Sequence, residues 1–174
     1  MYPGPNIVKD GLVLALDAAS PRSYPGSGTI WYDLVNTNNG TLTNGPTFDS
    51  GVGGSIVFDG TNDYVSIPDP SNTWQWDVSF AIEMWVNPDD VSNRREFIGQ
   101  YEDSDNWWRW GNDDLDQWEV DIQEGGTRTL QANPSWDVVN GSWQQICLSR
   151  GPFDGTYKWN FYLNGTLDGS SDDT

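Results

Sequence analysis

The stretch Phe80-Ala-Ile-Glu-Met-Trp-Val-Asn-Pro88 places Phe80, Ile82, Met84 and Val86 at one parity and Ala81, Glu83, Trp85 and Asn87 at the other. A repeat of two is the side-chain period of a β-strand, so the first set is read as facing a core and the second as facing away from it. Shorter runs follow at residues 96–101, 107–110, 118–122, 127–130, 143–150 and 157–163, separated by Asp, Asn and Gly. Residues 143–150 and 157–163 are joined by Gly151-Pro-Phe-Asp-Gly155, and Asn164-Gly165 opens another reversal. No window sustains a helical period. About ten short strands at this spacing predict an all-β sandwich or barrel.

Upstream, Ser55-Ile-Val-Phe-Asp-Gly-Thr-Asn-Asp-Tyr-Val-Ser-Ile-Pro68 reads as a β-hairpin. Its arms are residues 56–58 and 64–67, and the Gly, Asn and Asp between them tolerate the positive φ of a tight reversal. Gly11-Leu-Val-Leu-Ala-Leu-Asp17 is predicted as a further strand with Leu12, Leu14 and Leu16 on one face, central or covered. Residues 18–48, polar around Tyr24, Trp31 and Tyr32, read as a long ordered loop, and residues 69–77 as a loop carrying Trp74 and Trp76. The expected organisation is an N-terminal lead, residues 1–10, before one domain over residues 11–174.

Charge narrows the partners. Across 174 residues, 26 acidic side chains face 8 basic ones and no His, for a formal net charge of −18. That surface repels phosphate backbones and anionic headgroups, so neither nucleic-acid binding nor membrane insertion is expected, whereas divalent cations and neutral polar ligands are compatible with it. The same excess of acid also serves solubility alone. The single Cys147 lies in an apolar run and reads as core filler. Met1-Tyr-Pro-Gly-Pro lacks the basic start of an export signal.

Four segments in order carry a family resemblance: Phe-Asp-Gly-Thr-Asn-Asp-Tyr-Val at 58–65, the 80–88 strand, Trp143-Gln-Gln-Ile, and Phe161-Tyr-Leu-Asn-Gly165. Together they resemble a laminin-G-like, concanavalin A-like jelly roll. The fold implied is an all-β sandwich of two antiparallel sheets, here lacking its last strands, because the residues after Gly165 look too polar and too few to supply them. The lead at 11–29 with Trp31-Tyr-Asp-Leu34 resembles versions of this domain in tailed-phage structural proteins. That resemblance implies a virion surface protein, either a capsid decoration or a tail fibre/adhesion module. Its partners would be other virion subunits, in a homo-oligomer or a capsid or tail assembly, and a host surface glycan. Self-association is also expected if the strand at 12–16 is left with an open edge.

The resemblance further implies calcium (Ca2+) in the end loops, with Asp33, Asp59 and Asp63 as candidate ligands. Asp59 and Asp63 can equally be the hydrogen-bonding residues of an Asx turn. For sugar, Trp107, Trp108 and Trp110 with the acidic loop at 113–116, and Glu83 with Trp85, offer aromatic faces beside carboxylates. Trp is also the largest core filler, and alternation sends Trp108 and Trp110 one way and Trp107 the other. Finally, Glu119-Val-Asp-Ile-Gln-Glu124 is similar to the E-x-D-x-x-E strand of laminarinase- and lichenase-type glycosidases. That similarity makes Glu119 the nucleophile, Glu124 the acid/base and Asp121 their assistant, provided a bulge after Ile122 brings all three to one face. Those enzymes are longer, so the expectation is a non-enzymatic glycan-binding module, with a retaining glycosidase and a ligand-free structural cement as the alternatives.

Overall fold

The computed structural model describes residues 10–69, 74, 79–113, 115, 117–132, 137–153 and 156–172. Residues 1–9 of the lead, Trp76, Asp114, Asp116, Asp154 and Gly155 lie outside them. Among the described residues are thirteen strands, no α-helix and one short 3-10 turn. No helix there is long and apolar enough to cross a membrane. The chain divides into two units, residues 1–74 and 75–174.

The second unit is the jelly-roll sandwich, with two four-stranded antiparallel sheets enclosing one core. One sheet runs β10 (Thr127–Ala132), β9 (Trp118–Glu124), β8 (Trp107–Asn112), β7 (Arg95–Tyr101). The other runs β13 (Thr166–Asp172), β12 (Thr156–Leu163), β11 (Gln144–Phe153), β6 (Phe80–Val86). Between them lie Trp108, Trp110, Trp118, Val120, Ile122, Ile146, Leu148, Trp159 and Phe161, all buried, with Phe80, Ile82, Met84 and Val86 packed against them. The alternation in β6 is therefore realised as expected. Indoles dominate this core because each removes a large apolar area from water, which 36% hydrophobic residues must do economically.

The tail departs from expectation. Thr166–Asp172 is polar, yet it pairs along β12, with a bulge between Phe161 and Tyr162. An edge strand needs an apolar side chain only on the face it covers. Here backbone hydrogen bonds to β12 suffice to hold it.

The first unit holds a three-stranded sheet, β1 (Ile30–Trp31), β2 (Gly40–Thr43), β5 (Tyr64–Ser66), and a pair, β3 (Thr47–Asp49) with β4 (Ser55–Val57). The hairpin expectation is corrected here. The reversal at 59–63 exists, but its arms are not a hairpin: β4 pairs with β3, and β5 pairs with β2. The turn is closed by side chains, since Asp59 Oδ1 accepts the Thr61 and Asn62 N–H groups and the Asp59 N–H donates to Asp63 Oδ2. No ladder need follow such a closure, and each three-residue arm finds its partner upstream. Phe58, at the same strand parity as Ile56, is 45% exposed.

Residues 12–17, expected as a strand, form no ladder. The Ala15 N–H donates to Asp33 Oδ1 and the Ala15 carbonyl accepts from Leu34 N–H, so a carboxylate replaces a neighbouring strand. Residues 18–48, expected as a loop, contain β1, β2 and the start of β3. Tyr24 anchors the segment: it is buried, packs against Phe48 with the ring planes tilted 46° apart, and donates its hydroxyl hydrogen to the Gly28 carbonyl at 2.8 Å.

The 3-10 turn at Gly51–Gly53 forces Val52 to φ 49°, ψ 31°. A β-branched residue pays about 1–2 kcal/mol in this left-handed region, and Val52, 88% exposed, recovers nothing by burial. Val52→Asn, which tolerates that conformation, is expected to raise stability by about 0.5–1 kcal/mol, read as a higher urea midpoint at unchanged slope.

Candidate functional site

The candidate face is the side of the β7–β10 sheet turned away from the core. Register fixes its rows: Tyr101 opposite Trp107 and Trp107 opposite Gln123, then Gly99, Arg109 and Asp121, then Glu96, Gly111 and Glu119. Glu96 and Tyr101 are an odd number of residues apart, which in a regular strand puts them on opposite faces. A bulge between Glu96 and Ile98 changes the parity. Phe97 and Ile98 both turn to the core, while Glu96 and Tyr101 share the outer face, close enough for the Tyr101 hydroxyl to donate to Glu96 Oε1 at 2.6 Å.

Four side chains then close a ring. The rings of Tyr101 and Trp107 stack, with centroids 6.0 Å apart and planes 24° from parallel. The Arg109 guanidinium lies 5.0 Å from the Trp107 centroid, in cation–π range. Arg109 Nη1 is 3.7 Å from Glu96 Oε1, which holds Tyr101. Burial, and then the Glu96 carboxylate, push the Tyr101 hydroxyl above its ordinary range, so it stays a donor.

Beside this ring lies a charge network. Asp121, wholly buried, receives Arg109 Nη2 at 2.6 Å and Arg128 Nη2 at 3.2 Å, with Arg94 Nη1 at 3.4 Å. Glu119, 3% exposed, receives Arg94 Nη1 at 2.6 Å. Three of the chain's eight basic residues thus converge on two buried carboxylates. Burial pushes the Asp121 carboxyl above its usual range, Glu119 beside it adds to that, and Arg128 and Arg94 pull it back.

The expected three-carboxylate face is not formed. Glu119 and Asp121 share the outer face, but β9 keeps an unbroken register with β8 from Trp118 to Gln123. With no bulge after Ile122, Glu124 takes the core-side parity at the strand's exposed end. The irregularity lies instead in β10, between Arg128 and Leu130. Trp108 and Trp110 are 7% and 2% exposed and belong to the core, the Trp108 indole donating to Gln100 Oε1, so neither offers a ligand an open face. Of that cluster only Trp107 turns outward. Asp113 is also buried and closes its own turn by accepting the Leu115 and Gln117 N–H groups. Glu83 and Trp85 stand on the outer face of β6, on the opposite side of the sandwich from Trp107.

The residues suggested for calcium are engaged by backbone donors of the chain itself. Asp33 spends both oxygens on backbone donors: Oδ1 on Ala15 and Val35, Oδ2 on Asn36 and, at 3.4 Å, on Asn38. Asp59 and Asp63 are engaged in their own turn, where the Thr61 N–H holds the Asp59 carboxyl below its usual range. Among the described residues no three acidic, Cys or His side chains gather as a metal site. Asp33→Ala is accordingly expected to destabilise by about 2–3 kcal/mol, less than the sum of its charged hydrogen bonds because water reaches the exposed donors. Thermal melts with and without added calcium should show the same loss.

Arg94, Arg128, Glu96 and Tyr101 escaped sequence reasoning. The one available signal was the concentration of scarce arginines between residues 94 and 128, which says nothing about which face they share.

Comparison with known proteins agrees with this architecture. Residues 59–174 match the family described as the concanavalin A-like lectin/glucanases superfamily, Laminin_G_3. A solved structure, the S-layer domain-containing protein (residues 221–444) from Clostridium thermocellum ATCC 27405, aligns with TM-score 0.54 and 20% identity. The alignment covers 84% of this chain and 66% of that one, a likeness of fold. No curated protein matches.

Proposed function

Because the chain belongs to the concanavalin A-like lectin/glucanases superfamily, we propose that it is a non-catalytic carbohydrate-binding module with Tyr101 and Trp107 as its sugar platform. The stacked, outward pair carries this reading. Aromatic faces take the C–H face of a pyranose, while Glu96 and Gln123 at its margin can bond hydroxyls. Arg109 and Glu96 hold the rings in place before any ligand arrives, which lowers the ordering cost of binding. A formal charge of −18 favours a neutral glycan over an anionic one.

Glu119 and Asp121 support the non-catalytic reading, since each is sealed beneath guanidinium groups rather than open to a glycosidic oxygen. We further read this module as a virion surface protein, a reading supported by the resemblance of residues 11–29, with Trp31-Tyr-Asp-Leu34, to tailed-phage structural proteins. It would serve as a capsid decoration or tail fibre/adhesion unit, in contact with other virion subunits and with host glycan. Trp107→Ala is expected to weaken binding on a glycan array by about tenfold or more. Reducing-sugar release from laminarin that disappears in Glu119→Gln would instead establish a glycosidase.

A further inference from the structure

The outer face of the opposite sheet carries a second aromatic site. Trp85 in β6 is 62% exposed, the largest exposure of any Trp among the described residues. Its register partner is Gln145 of β11, and Glu83 follows two residues away on the same outward parity, opposite Cys147. Trp143, directly before β11, is 39% exposed. The loop that delivers it is tied to the end of β6 by the Gly141 N–H, which donates to the Pro88 carbonyl at 2.7 Å. The Gln145 N–H is in turn held by Asn164 Oδ1 at 3.1 Å.

Two exposed indoles at one end of a sheet, fixed by backbone bonds and set among a carboxylate and amides, do not make a protein-docking surface. Stable protein interfaces need roughly 1,000 Å² or more of complementary surface around an apolar centre, whereas here Trp85 has Gln145 opposite it and Glu83 two residues along the strand. Aromatic faces rimmed by hydrogen-bonding groups suit a pyranose ring. We propose that Trp85 and Trp143, with Glu83 and Gln145, form a second site for a neutral glycan, making a single chain bivalent. The site stands on its own residues, while bivalency rests on the glycan reading of the Tyr101–Trp107 face. Ile82 and Met84 face the core on the reverse of β6, as Trp108 and Trp110 do on the reverse of the other face. The two sites therefore point away from each other, and one chain can bridge two glycan strands but cannot wrap both sites around the same ring.

Affinity electrophoresis through gels containing laminarin, mannan, xylan or dextran tests this with the intact chain. Wild type should be retarded by at least one polymer and should precipitate it from solution. Trp107→Ala and the double variant Trp85→Ala/Trp143→Ala should each keep part of the retardation and lose precipitation, and the triple variant should lose both. All these side chains are at least partly exposed, and matched melting curves would show that each variant is folded. A double variant that behaves as wild type overturns the second site and leaves the first standing. Trp107→Ala behaving as wild type, with the double variant unable to bind, removes the first site and keeps the second. Precipitation that survives in either single-face variant overturns bivalency, and a wild type retarded by none of the four polymers overturns both sites.

Discussion

Arg109→Ala is expected to cost about 3–5 kcal/mol at neutral pH, because it leaves two buried carboxylates with less compensating charge. Arg109 reaches Asp121 at 2.6 Å and Glu119 at 3.6 Å, and neither acid has solvent to replace it. The loss should depend on pH in a defined direction. Asp121 already titrates above its ordinary range through burial and the neighbouring Glu119. A carboxyl whose folded pKa exceeds its unfolded value is tolerated best below the unfolded pKa, and its cost grows as pH rises through the folded one. Removing a guanidinium raises the folded value further. The gap between wild type and variant should thus be widest near neutrality and shrink toward pH 4, measured as urea midpoints at both. Asp121→Asn introduced into the Arg109→Ala background should recover part of the loss, the coupling expected of residues in contact. A gap unchanged by pH and unrelieved by Asp121→Asn would mean that Arg109 acts by packing rather than by charge.

Gly111→Ala is the second large effect, at about 3 kcal/mol or more. A Cβ built on Gly111 would overlap the Arg95 carbonyl oxygen, a backbone atom that cannot swing aside. Gly111 faces Glu96 where β7 bulges, so relieving the clash means parting β7 from β8 at the bulge. The same movement would undo the parity change that brings Glu96 to Tyr101. Stability and glycan binding should therefore fall together, with the Tyr101 hydroxyl titrating closer to its ordinary value. Gly151→Ala is the control, because its Cβ would meet only the end of the Ser79 side chain at 3.3 Å. It is expected to stay within about 0.5 kcal/mol of wild type. If Gly111→Ala melts normally and still binds, the bulge is not what builds the platform.

These two residues mark where sequence reasoning stopped. The strands of the sandwich were readable because a half-buried strand needs a period of two, and residues 80–86, 107–112, 118–124 and 156–163 all carry it. Alternation also separated Trp107 from Trp108 and Trp110 before the structure placed the latter two in the core. Glu96 and Tyr101 carry no such mark. A bulge changes which face a side chain takes without changing the local composition, so their pairing was unreadable. The same holds for Glu124, whose place beside Glu119 and Asp121 required a bulge that the chain puts in β10 instead.

Pairing was the other blind spot. The run at 55–68 correctly signals a reversal, because Asp59, Gly60 and Asp63 can satisfy a turn locally. A turn closed by carboxylates nonetheless leaves both arms free to choose partners by long-range fit, and β4 and β5 chose β3 and β2. Asp33 is the counterpart: an acidic residue in a polar loop suggests a cation, yet four backbone N–H groups from distant and local positions had already taken its oxygens. Periodicity and turn chemistry are local properties and can be read along the chain. Strand partners, bulges and the donors that surround a buried carboxylate depend on segments far apart in sequence, and they are settled when the sheets pack.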